Sequence, residues 1–285
     1  MSDAANSERN ATAITRKRRT SEAGEAISLF LSAAVIFGFL AVHCRSEPER
    51  VRFLAPWAAL VAGVFAQFGY IVHGVTGTGA VAGFAIAFVL WMLGGWGSFA
   101  VLFAVFVLTW LATRFGGARK QRLGVAEHRT GRTGLQVLAN VGLAGMFCIF
   151  IPPFHPWWLC SMAVLAEAAA DTVSSEVGQA IGGEPRLIIN LRRVPIGSNG
   201  AVTIAGTSAG ILAALLVTSV VYVSGTVGLL AVPMAVGGIG GMLVDSLLGA
   251  TLERQLLNND AVNFFSTAFA ALLAAGVYRW LTLLY

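Results

Sequence analysis

The sequence predicts an all-α polytopic membrane helix bundle of about nine transmembrane helices, with eight as the alternative count and the N-terminus cytoplasmic. Three observations predict it. Of the 285 residues, 56% are hydrophobic and only 12% charged, with a mean hydropathy of +0.75, whereas a water-soluble domain carries about 25% charged residues. Apolar stretches recur along the chain at close to the ~20 residues that cross a bilayer. The basic residues gather between alternate stretches, as the positive-inside rule requires of cytoplasmic loops.

The stretches fall at 27–43, 53–72, 75–93, 96–113, 135–151, 157–172, 201–223, 226–250 and 261–284. The first, fifth and sixth are short, which leaves eight open. Residues 1–26 form a polar basic tail whose run Arg16-Lys-Arg-Arg19 precedes a stretch without a small-residue cleavage site, so it reads as a retained anchor and not a cleaved signal peptide. The rest, 27–285, is a single transmembrane domain. Within it 27–113 is nearly uncharged scaffold, broken by Gly74-Val-Thr-Gly-Thr-Gly79 and Gly94-Gly-Trp-Gly97, and 114–285 bears the motifs. With the N-terminus inside, the tail, 114–134, 177–199 and 251–260 are cytoplasmic and hold 15 of the 19 Lys and Arg residues. Only Arg45, Arg50, Arg52 and Arg279 fall opposite, while the outer loops Pro152-Pro-Phe-His-Pro156 and Ser224-Gly-Thr226 carry no formal charge. This is the pattern of a multi-pass protein of a bacterial-type inner or plasma membrane whose active face is cytoplasmic.

Several function classes are excluded. The net charge of +5 and pI near 9.6 serve orientation in the lipid bilayer, so no nucleic-acid partner is expected. Cys44, Cys148 and Cys160 show neither disulfide nor zinc spacing. His43, His73, His128 and His155 stand singly, and neither a phosphate-binding GxxxxGK[ST] loop nor a protein-kinase signature occurs.

The chemistry-bearing signal is acidic. Glu167 and Asp171 lie four apart, on one helix face. Such a pair is relieved by protonation of one carboxyl, by a divalent cation between them with Glu176 added if the helix unwinds at Ser174-Ser-Glu-Val-Gly178, or by Arg192 or Arg193. Asp171-Thr172 and Asp245-Ser246 each end an apolar run that descends from the outer to the inner face, so the two pairs are expected at one depth. Ionisable residues inside a membrane are costly and mark function. Between them, Gly182-Gly-Glu-Pro-Arg-Leu-Ile-Ile-Asn-Leu-Arg-Arg193 leads through Gly197, Asn199 and Gly200 into a helix start, a basic, glycine-rich arrangement suited to phosphate. Gly206, Gly210, Gly237 and Gly241 are spaced for close helix packing. Gln136 and Asn140 either hydrogen-bond a neighbouring helix or line the site. Asp260 is placed to cap the last helix, with Asn259 reaching a ligand.

Five ordered blocks, Gly131-Arg-Thr-Gly-Leu-Gln-Val-Leu-Ala-Asn140, Asp171-Thr-Val-Ser-Ser-Glu-Val-Gly178, Val194-Pro-Ile-Gly-Ser-Asn-Gly200, Asp245-Ser-Leu-Leu-Gly-Ala-Thr-Leu252 and Leu257-Asn-Asn-Asp-Ala-Val-Asn263, with Pro185-Arg-Leu-Ile188 between the second and third, resemble one integral membrane family long labelled a domain of unknown function. That family includes plastid phytyl-phosphate kinases and an animal transmembrane homologue, and the likeness spans about residues 30–284. The chain departs from the family pattern at Val173, Ile196 and Ala201. The resemblance implies phosphoryl transfer from a nucleoside triphosphate, CTP in particular, to an isoprenoid alcohol monophosphate. It further implies Mg²⁺ as cofactor on Asp171, Glu176 and Asp245, which are also the catalytic candidates, with Glu167 behind them. Lys120, Arg186, Arg192 and Arg193 are then expected to clamp phosphates, and Asn199 and Asn259 to orient them. Arg132, Asn140, Gly197, Gly200, Asp260 and Asn263 complete the substrate-binding candidates. The competing readings are an ion-coupled transporter and a CTP-dependent lipid cytidylyltransferase.

Overall fold

In a computed structural model that describes residues 2–126, 131–150, 156–223, 230–253 and 255–284, the chain is an all-α bundle. In chain order the elements are α1 (Ser2–Ser46), α2 (Pro48–Ile71), α3 (Gly77–Arg114), α4 (Gly117–Arg122), α5 (Gly134–Phe150), α6 (Pro156–Ile181), β1 (Arg186–Leu187), β2 (Ala201–Val202), α7 (Ile204–Val223), α8 (Ala231–Thr251) and α9 (Asn259–Leu284). The outer loops at 151–155 and 224–229, together with His128, Arg129, His155 and Arg254, lie outside the described residues.

Six described stretches, in α1, α2, α3, α7, α8 and α9, are long and apolar enough to cross a membrane, and α5 is a shorter apolar helix. The first of them runs Ser21–Cys44 and so begins ahead of the tail boundary read from sequence. α6 is 26 residues long and differs from these in carrying three acids. Large apolar side chains face outward on most long helices, Phe30, Phe37, Trp57, Leu216 and Leu272 among them. In water that surface would aggregate; in a bilayer it is the lipid face.

α3 holds 38 residues, about 57 Å if straight, nearly twice the hydrocarbon thickness. It is not straight. Gly95 sits at φ 71° and ψ −173°, a combination open almost only to glycine, and the helix folds back there. Trp110 Nε1 donates to the Val72 carbonyl at 3.2 Å, placing the end of the second limb beside the start of the first. The two apolar stretches on either side of Gly94-Gly-Trp-Gly97 are therefore the two limbs of one helical hairpin.

α6 is the axis of the bundle. Every residue from 159 to 170 is buried, Glu167 included, because α3, α5, α7, α8 and α9 all pack on it. Alanines on α6 meet glycines on its neighbours: a Cβ at Gly210 of α7 would stand 2.7 Å from the Ala170 carbonyl, and one at Gly238 of α8 2.8 Å from Ala166 Cβ. Small residues let backbones approach closely where no water drives association, and they bring the polar side chains of α6, α8 and α9 within reach of each other.

Candidate functional site

The acids of α6 and α8 converge. Asp171 and Asp245 line one pocket and lie close enough for their carboxyls to interact. Behind them Ser266 of α9 has one hydroxyl proton and two carboxylates in range, Glu167 Oε1 at 2.7 Å and Asp245 Oδ2 at 3.2 Å. Glu167, Ser266, Asp245 and Asp171 thus form one chain that opens into a polar pocket of about 260 Å³. Glu167, four residues before Asp171, is the deepest member and is 1% exposed.

The other pocket walls carry amides, hydroxyls and one arginine. α5 supplies Gln136 and Asn140, and the turn before it supplies Arg132, whose Nη2 donates to Thr172 Oγ1 at 3.1 Å. That arginine's backbone is fixed independently of the site, since Arg132 N donates to the Gly74 carbonyl at 3.0 Å and Thr76 N to the Arg132 carbonyl at 2.9 Å. Gln136 and Thr133 cap α5 reciprocally, Thr133 N donating to Gln136 Oε1 at 2.8 Å and Gln136 N to Thr133 Oγ1 at 3.4 Å. This satisfies two free helix-end donors. Asn140 Nδ2 donates to the Gln136 carbonyl at 2.8 Å, so both side chains anchor α5 as well as line the pocket.

A strap closes the open side. From Pro185 the chain forms β1, turns back, and pairs through β2, with Leu187 opposite Ala201, before entering α7. Ile196 to Thr203 line the pocket, Asn199 among them. Gly200 has φ 70°, and a Cβ there would stand 2.5 Å from the Ser246 carbonyl. Only glycine allows the strap to rest on α8. From Asp171 to Gln179, both in the lining, α6 runs eight residues, about 12 Å along the pocket. Gln179 Oε1 is buried in that wall and, among the described residues, has no hydrogen-bond partner.

Not every residue expected here is here. Glu176 contributes to the lining but pairs with Lys120, which is 1% exposed. Lys120 Nζ also donates to the carbonyls of Thr113 at 2.7 Å and Ala112 at 3.2 Å, so its three donors are all engaged and none is left for a phosphate. α6 does not unwind after Asp171 and continues to Ile181, which turns Glu176 about 140° away from Asp171 at 100° per residue. Arg186 and Arg193 are exposed and pair with Glu184, at 3.1 and 2.5 Å, and Arg192 is exposed beside them; none lines the pocket. Asp260 is also outside the lining and does not cap α9: Asn258 Oδ1 accepts from Ala261 N at 2.9 Å. Asn259 and Asn263 do line it.

Two residues were missed from sequence. Glu253 lines the pocket and lies close enough to Asp171 and Asp245 to act on both electrostatically. Ser266 carried a faint signal, since Asn259, Asn263 and Ser266 follow one another at helical spacing on a single face.

The description "Integral membrane protein DUF92" matches residues 60–271, the greater part of the chain and all of its pocket-lining residues. The chain belongs to this family. An uncharacterized membrane protein of Synechocystis is 28% identical over 257 residues, covering 87% of this chain and 91% of the relative. An uncharacterized membrane protein of Methanocaldococcus jannaschii is 34% identical over 203 residues, 70% of this chain and 84% of its own. Protein VTE6, chloroplastic, of Arabidopsis thaliana is 28% identical over 221 residues, 72% of this chain and 65% of the relative. No solved structure matches the chain.

Family membership and fold together make this an integral, multi-pass membrane protein. Among the described residues no group of three or more His, Cys, Asp or Glu side chains is gathered as for a metal ion, and Glu176 is paired with Lys120. The paired carboxylates of Asp171 and Asp245 are nevertheless the donor set that Mg²⁺ accepts, one or two carboxylates with the remaining positions left to water and substrate phosphates.

Proposed function

We propose that this DUF92 protein is a membrane-embedded phosphotransferase that passes the terminal phosphoryl group of a nucleoside triphosphate, CTP by expectation, to an isoprenoid alcohol monophosphate at the cytoplasmic face. The observation that carries the reading is the Asp171–Asp245 pair facing Arg132 and four asparagines in one polar pocket at one end of an apolar bundle. Phosphoryl transfer asks a protein chiefly to position two phosphates and neutralise charge. The similarity to VTE6 and the motif resemblance to phytyl-phosphate kinases supply the substrate class.

In this reading Asp171 and Asp245 hold Mg²⁺, with Glu167 and Ser266 orienting Asp245 from behind. The ion, when bound, neutralises polyphosphate charge. Arg132 holds the acceptor phosphate through its fork of donors, and Asn199, Asn259 and Asn263 orient the donor phosphates. An acceptor phosphate oxygen bonds to the γ-phosphorus as the bridge to the β-phosphate breaks, releasing CDP and a lipid diphosphate. With a second phosphate pKa of about 6, the acceptor is already ionised at neutral pH and needs no strong base. An ion-coupled carrier fits less well, because the polar chain ends at Glu167 and the described α6 residues 162–166 beyond it are apolar and buried.

The test is incubation of the purified protein with labelled CTP, Mg²⁺ and phytyl or geranylgeranyl monophosphate. A lipid diphosphate is expected. A CDP-lipid with release of pyrophosphate would identify a cytidylyltransferase instead, and no nucleotide consumption, with Asp171→Asn behaving as wild type, would overturn both.

A further inference from the structure

A second cavity lies beside the acidic pocket, largely in the part of the chain read from sequence as scaffold. It occupies about 520 Å³ between α2, the two limbs of α3 and α5, twice the volume of the acidic pocket. Its walls are mainly apolar, with Phe65, Ile86, Val105 and Phe106 among them, and Thr109, Arg114 and Lys120 join Arg132 as polar lining residues. Two residues, Arg132 and Asn140, line both cavities. They form the partition: backbone bonds to the 74–76 turn fix the arginine on the apolar side, while its guanidinium reaches across to Thr172 beside Asp171.

We propose that this cavity receives the hydrocarbon tail of the acceptor, a single-chain lipid monophosphate whose phosphate lies at Arg132 and Asn140. The inference rests on the phosphotransferase reading for the identity of the head group, and on the cavity itself for the tail. A methylene occupies about as much space as a water molecule, roughly 30 Å³, so the cavity takes on the order of 17 carbons. That matches one chain of about 15–20 carbons better than the two chains of an ordinary phospholipid. A pocket of this size, apolar with a few polar groups at one end, is the usual form of a small-molecule site. A guanidinium at its polar end matches a phosphate, which it grips with parallel donors.

Gly83 permits a clean test. It lines the cavity, and a Cβ added to it meets nothing within 4 Å, so Gly83→Leu starts from open space and extends into the cavity. Gly276 of α9, equally unobstructed and outside both cavities, provides the control Gly276→Leu. With full-length protein in nanodiscs, kcat/KM is measured for isoprenoid monophosphates of 5, 10, 15 and 20 carbons. In parallel, a 20-carbon monophosphate with a diazirine at the tail end is photo-crosslinked and its attachment sites mapped.

The expected result is crosslinking on α2 and α3 at cavity residues, competed by the 15- and 20-carbon compounds but not by the 5-carbon one. Gly83→Leu is expected to lower kcat/KM for the 20-carbon substrate at least about 10-fold, the scale for a few methylenes denied burial. It should spare the 5-carbon substrate, and Gly276→Leu should change neither. Crosslinks confined to the outer lipid face, competition by phosphatidic acid as strong as by the 20-carbon compound, or a Gly83→Leu effect that is nil or equal at all chain lengths would overturn the proposal. If no substrate is phosphorylated yet the crosslinks and their loss in Gly83→Leu persist, the tail cavity stands and the phosphotransferase reading falls.

Discussion

Asp171 and Asp245 come from different helices and reach each other only because α6 and α8 approach through alanine and glycine. Converting either to Asn removes one carboxylate charge from the pair proposed to hold Mg²⁺. Asp171→Asn and Asp245→Asn are each expected to lower turnover on the order of 10²–10³-fold, the scale of losing one main electrostatic contact, with the thermal midpoint in detergent unchanged within a few degrees. Ser266→Ala should act at one remove, weakening Mg²⁺ dependence by about 10–100-fold, read as a shift in the Mg²⁺ concentration for half activity. Lys120 and Glu176 differ in kind. Replacing Lys120 alone by Met strands a buried carboxylate and should cost about 3–5 kcal/mol, whereas Lys120→Met with Glu176→Met should recover most of that in the same unfolding measurement. The exposed Arg192 and Arg193, outside the pocket lining, should tolerate Ala with less than about a threefold change in rate. A large loss there would restore them to the phosphate site.

At the scale of elements, the fold depends on two backbone reversals. Gly95 turns α3 back on itself in a conformation closed to other residues, yet a Cβ there meets nothing within 4 Å. Gly95→Ala should therefore cost about 1–3 kcal/mol of backbone strain alone, visible as a lower thermal midpoint with little change in the activity that remains. Gly200 combines a positive φ with direct contact between strap and α8. Gly200→Ala should lift the strap from the pocket, which limited trypsin digestion would report as faster cleavage at Arg186, Arg192 and Arg193. The alternation of apolar stretches and glycine turns was legible as helices. The hairpin about Gly95 was legible in the same way, as two spans either side of a glycine turn, whereas the strap formed by residues 185–203 was not, because it does not follow from periodicity.

Across the described residues, the turn at 72–76, residues 114–126 and 131–132, the strap and residues 255–258 share one end of the bundle, joined by contacts such as Val75 with Arg132 and Arg119 with Ile181. Cys44 lies exposed near the opposite end of α1, while Cys148 and Cys160 are buried. An impermeant maleimide applied to intact cells should label Cys44 and not a cysteine introduced by Leu256→Cys, a position 79% exposed at the site end. Equal labelling of both, or the reverse, would contradict the proposed cytoplasmic face.

Composition and charge placement determined the solvent of this protein, its helical architecture and which buried acids to look for, because hydropathy and the cost of burying charge act locally along the chain. The tertiary structure alone decided which acids meet, that Lys120 pairs with Glu176, that Glu253 and Ser266 stand beside Asp171 and Asp245, and that the apolar N-terminal helices help enclose a cavity. Those outcomes depend on how closely two helices approach and how each is rotated, and both are settled by contacts between residues distant in sequence.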